Sequence, residues 1–95
     1  MLRFAVIPLA FLAAPALAQG HFQAQPVAPS AQQRFVARDN VWRCTEAGCT
    51  SSRTATRPAL VCSALVRAVG ALRGFSVAGR AFTAEELENC NRRAR

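Results

Sequence analysis

The order of apolar and polar positions divides the chain into an apolar opening, a patternless stretch and a patterned remainder. Phe4 to Leu17 is almost continuously apolar, with Arg3 before it and Ala16-Leu17-Ala18 closing it. Residues 19–33, QGHFQAQPVAPSAQQ, show no usable period. From Phe35 the pattern sharpens. FVARDNVWR carries β-branched and aromatic residues broken by Asp39-Asn40, which reads as turn chemistry. Val41 to Cys44 predicts a strand that enters a four-residue hairpin loop, Thr45-Glu46-Ala47-Gly48. Gly48 can supply a positive φ there, and Cys49-Thr50 starts the return strand.

After the polar loop TSSRTAT, the pattern changes to a helical spacing. Val61, Cys62, Leu65, Val69 and Leu72 form one apolar stripe flanked by Val66 and Ala68, with Arg67 on the outward side. Thr56 is the candidate N-cap, Pro58 is tolerated in the first turn, and Gly74 is the candidate stop. Phe75 to Phe82 reads as a short strand or tight hairpin around Gly79. Thr83-Ala84-Glu85-Glu86 is then a capping box, with Thr83 at N-cap and Glu86 at N3, and Phe82 and Leu87 complete a hydrophobic staple. Glu85, Glu86 and Glu88 lie where the helix dipole favours negative charge.

The apolar opening has the n-region, h-region and small-residue cleavage site of a secretory leader, removed after Ala18. It falls short of the roughly 20 residues that span a bilayer, and Pro8 and Pro15 interrupt it. No Cys follows the cleavage site to carry a lipid. The expected organisation is a signal peptide at 1–18, a flexible Gln/Ala/Pro-rich lead-in at 19–33, a small domain at 34–91 and a basic tail at 92–95. The expected fold is small α+β: a disulfide-stapled β-hairpin packed against two short helices. So small a domain has a marginal core and usually needs a covalent or metal staple.

Four cysteines, Cys44, Cys49, Cys62 and Cys90, are spaced C-x4-C-x12-C-x27-C. An even count in a short exported chain predicts two disulfides. Cys44 and Cys49 face each other across the hairpin loop, and Cys62, on the inward stripe, can reach Cys90 on the face shared with Leu87. That gives the pairs Cys44–Cys49 and Cys62–Cys90. The second closes a loop of roughly 29 residues, worth roughly 3 kcal/mol or somewhat more in the chain-entropy model. A zinc site would need four thiolates gathered tetrahedrally, with only one pair close in sequence, and the one His, His21, falls in the lead-in. A redox dithiol would take the form C-x-x-C at a helix N-terminus, which C-x4-C across a turn does not. No metal or cofactor is therefore expected.

The blocks FVARD-x-VWRC, EAGC, RPALVC, FSVAGRAF and LENCN together resemble a family of short exported alphaproteobacterial proteins of unknown function. The resemblance runs from Phe35 to Asn91. It implies export to the periplasm and a four-cysteine framework, and it supplies no activity.

The chain has a formal charge of +7, and every basic residue is Arg. Arg34, Arg38, Arg43, Arg53, Arg57, Arg67, Arg73 and Arg80 are scattered, whereas Arg92, Arg93 and Arg95 cluster at the C-terminus. That cluster is the candidate anion-binding site, set against the plainer reading of solvated cations that complement a helix C-terminus. An anionic envelope component or another protein is the expected kind of partner, and nucleic acid fits least outside the cytoplasm. Trp42 reads as core beside the first disulfide, in preference to a ligand-stacking role. Ser63 has no base nearby in sequence and Asp39 has no second carboxylate, so no catalytic residue is expected.

Overall fold

The computed structural model describes residues 20–94. They form six strands and two helices: β1 (Phe22–Pro26), β2 (Arg34–Ala37), β3 (Asn40–Thr45), β4 (Gly48–Ser51), α1 (Pro58–Val69), β5 (Leu72–Val77), β6 (Arg80–Ala81) and α2 (Ala84–Asn91). The fold is small α+β, as expected, but the predicted hairpin is part of a single antiparallel sheet of order β2-β3-β4-β1-β5-β6.

The largest correction concerns the lead-in. Phe22–Pro26 pairs with β4 on one side and β5 on the other, so a segment expected to be flexible supplies a central strand. Its sequence FQAQP does alternate: Phe22, Ala24 and Pro26 are buried while Gln23 and Gln25 are partly exposed. Two of the three inward residues are Ala and Pro, so the alternation carries little hydrophobic contrast. β4 and β5 both run antiparallel to β1 and therefore parallel to each other, with α1 as the crossover between them. His21 also belongs to the folded part: its carbonyl accepts the Ala78 N–H at 2.8 Å.

Both helices cover one face of the sheet, where the core lies. Phe22, Ala24, Trp42, Cys44, Cys49, Leu72 and Phe75 from the strands meet Val61, Cys62, Leu65, Val66 and Cys90 from the helices. Phe22, Trp42 and Phe75 form an aromatic cluster with centroids 6.0, 6.4 and 6.5 Å apart. Trp42 is wholly buried, as its position beside the disulfide predicts. Its indole N–H finds no acceptor among the described residues, which offsets part of the gain from burying the ring.

Local boundaries moved for identifiable reasons. The β3–β4 loop has two residues, Glu46-Ala47, and Thr45 pairs with Gly48. Gly48 is required twice over: its φ is +137°, and a Cβ there would stand 2.6 Å from the Ala24 carbonyl oxygen. The β2–β3 turn is Arg38-Asp39, and Asn40 is a buried strand residue. Its amide donates to Ser51 Oγ at 3.0 Å, and Ser51 Oγ in turn donates to the Val41 carbonyl at 2.8 Å. Thr56 does not cap α1. Its hydroxyl donates to Asp39 Oδ2 at 2.9 Å, and Arg57, held extended before Pro58, occupies the N-cap position. The helix stops at Gly70, whose N–H reaches the Val66 carbonyl, so Gly74 and Leu72 fall in β5. The capping box of α2 forms as expected, with Glu86 N–H donating to Thr83 Oγ1 at 3.1 Å and Thr83 N–H to Glu86 Oε1 at 2.9 Å.

Phe22→Ala should cost about 3–5 kcal/mol in urea unfolding, the usual cost of emptying a buried aromatic site. Val36→Ala, on an exposed strand position, should stay within about 0.5 kcal/mol. Equal, small effects would mean that β1 is not part of the core.

Candidate functional site

The reactive side chains are already committed to structural partners. All four cysteines are in disulfides, Cys44–Cys49 and Cys62–Cys90, and no free thiol remains. Cys44 and Cys49 are direct cross-strand partners in β3 and β4, so the first bridge fixes a register. The second joins α1 to α2 through two buried half-cystines. Ser63 Oγ donates back to the Ala59 carbonyl of its own helix at 3.0 Å. Asp39 Oδ2 accepts from Thr56. The His21 ring stands edge-on to Phe22, with centroids 4.7 Å apart. Among the described residues, no three His, Cys, Asp or Glu side chains gather where they could hold a metal ion.

Of the C-terminal arginines, Arg92 and Arg93 are exposed just after α2, and Arg95 lies outside the described residues. Arg93 is brought together with arginines that sequence proximity does not reveal. A groove of about 470 Å³ runs between the start of α1, the end of β6 and α2. Pro58, Ala59, Leu60, Phe82 and Cys90 contribute apolar surface, and Arg57, Arg80 and Arg93 contribute charge. Glu86 is the carboxylate in the lining, and its Oε1 is held by the Thr83 N–H. Arg92 does not line this groove. The combination suits a ligand with an apolar body and an anionic end, because guanidinium groups bind carboxylates and phosphates in a bidentate manner.

The groove's walls depend on two devices. The Cys62–Cys90 bridge holds α2 against α1, and the capping box fixes where α2 begins. The far end of α2 is anchored as well. Asn91 Oδ1 accepts the Leu72 N–H at 2.9 Å, and its amide donates to the Leu72 carbonyl at 3.0 Å, a pairing that imitates a strand partner.

The model of a family described as "Family of unknown function (DUF8200)" matches residues 7–92 of the chain. No curated protein and no solved structure matches it.

Replacing both Cys62 and Cys90 by Ala should cost about 3.5 kcal/mol, against about 2 kcal/mol for the Cys44/Cys49 double replacement, because the longer loop frees more chain entropy. Denaturant midpoints of the two double variants test this. The opposite order would assign the main staple to the hairpin. Thr83→Ala should cost about 1 kcal/mol on the same scale.

Proposed function

The chain belongs to this family of unknown function, and we propose that it is an exported domain that acts without catalysis, as a structural or interaction module of the cell envelope. The observation that carries this reading is the placement of all four cysteines in disulfides within the core. A domain this small leans on such bonds, and they persist in oxidising compartments such as the periplasm or the extracellular space. The leader-like opening of the sequence supports the same route. Buried, paired sulfurs serve stability and leave no nucleophilic thiolate.

A second reading rests on the groove between the helices. There the domain is a cationic binder of anionic envelope components, lipid or lipopolysaccharide, with Arg57, Arg80 and Arg93 as the contacting charges.

Expression with the native leader, followed by fractionation and intact mass, tests the first reading. The expected product is periplasmic or secreted, begins at Gln19, lacks titratable thiols and is lighter than the reduced chain by about four hydrogens. A full-length cytoplasmic product with reactive thiols would overturn it. For the second reading, binding to anionic vesicles should weaken steeply with salt and fall when Arg57, Arg80 and Arg93 are replaced by Gln. No binding at low ionic strength would remove it.

A further inference from the structure

The face of the sheet turned away from the helices carries a charge arrangement that the fold does not explain. Counting across the ladders, Arg34, Arg43, Thr50, Gln23, Ser76 and Ala81 are successive cross-strand neighbours on that face. Arg34 and Arg43 are thus direct partners in β2 and β3. The Cys44 N–H donates to the Gln33 carbonyl at 2.8 Å, so the adjacent Arg34–Arg43 pair is a non-hydrogen-bonded one, where side chains approach closest. Like charges directly opposite each other destabilise a ladder, and a guanidinium cannot escape by losing its proton.

No carboxylate of the protein relieves this pair from a strand position on the same face. Asp39 and Glu46 are in turns, and Glu85, Glu86 and Glu88 are in α2. The two arginines instead line, with Val41, Thr50 and Ser52, an open depression of about 400 Å³. The Thr50 hydroxyl donates its proton to the Phe22 carbonyl at 3.2 Å. Among the described residues, the lining of the depression therefore holds two permanent cations and no carboxylate.

We propose that Arg34 and Arg43 form a phosphate-binding site that takes a phosphate monoester or inorganic phosphate between the two guanidinium groups. A dianion matches the two charges, and its tetrahedral oxygens can accept paired N–H donors from both forks. A carboxylate or phosphodiester, with one charge, neutralises only half of the pair. The site shares no residue with the groove between the helices and stands or falls separately from it.

The test uses the oxidised chain at constant ionic strength near pH 7.5, with inorganic phosphate titrated against chloride. Phosphate should raise the melting temperature and shift the amide resonances of Val41 and Thr50. Arg34→Gln and Arg43→Gln should each weaken phosphate binding by about tenfold or more. In phosphate-free buffer, each should leave the melting temperature unchanged or raise it, because each removes a repulsion. Arg67→Gln, at an exposed position of α1 that lines neither the depression nor the groove, should leave phosphate binding intact. A second arm offers vesicles containing phosphatidic acid or phosphatidylglycerol. Preference for phosphatidic acid, reversed by free phosphate, identifies a lipid head group as the source, while phosphate binding without vesicle binding identifies a soluble phosphate compound. The proposal is overturned if phosphate does not bind at constant ionic strength, if both variants keep parental affinity, or if both variants melt below the parent in phosphate-free buffer.

Discussion

The paired edges of β1 hold the architecture together. Without that strand the remaining five would fall into two pieces, a β2-β3-β4 meander and the short β5-β6 hairpin. The two-stranded piece would be marginal alone. With β1 in place, Ala24 lies between Cys49 on one side and Phe75 on the other, and Phe22 lies between Ser51 and Val77. The small side chain of Ala24 and the missing side chain of Gly48 allow close approach at the point where the first disulfide sits. The aromatic cluster of Phe22, Trp42 and Phe75 can form only because β1 brings the two halves side by side.

The disulfides act on different levels of this arrangement. Cys44–Cys49 works within one hairpin, where it joins direct cross-strand partners. Cys62–Cys90 works between elements, tying the crossover helix to a terminal helix of eight residues that would be marginal alone. The capping box, the Asn91 clamp on Leu72 and this bridge secure α2 at its start, its end and its inward face. Secured in this way, α2 can serve as a fixed wall for the groove it shares with α1.

Features decided locally were legible in the sequence. The α2 capping box, the Cys44–Cys49 pairing, the burial of Trp42 and the turn at Gly79 each rest on a few adjacent residues, and the Cys62–Cys90 pairing follows from the inward faces of two helices. Features decided by distant partners were not. Asn40 beside Asp39 looks like turn chemistry, yet its amide bonds the buried Ser51 of β4 and the carbonyl of Ser52 just beyond that strand. Thr56 has the chemistry of an N-cap, but Pro58 sets the helix start one residue later, and Asp39 takes the hydroxyl. The Gln-rich composition of residues 19–33 hid the alternation of FQAQP, whose value as a strand exists only once β4 and β5 are present. The groove draws Arg57, Arg80 and Arg93 from separate elements, so the visible C-terminal cluster pointed to only one of the three. Arg34 and Arg43 were within reach of sequence reasoning, since placing the turn at Arg38-Asp39 sets them opposite each other.

The strand order also sets the time at which the chain can fold. β1 comes first among the described strands, but its partners Leu72–Val77 come late, and they are joined to it by the longest-range pairing in the sheet. A chain delivered N-terminus first can pair β1 with β4 at mid-length, but it must leave the other edge of β1 open until Leu72–Val77 has emerged. The strand's length of five residues and Pro26 at its end make that waiting edge a poor template for a neighbouring copy. The shortness of FQAQP and its closing proline thus also protect an unfinished chain from pairing with the wrong partner.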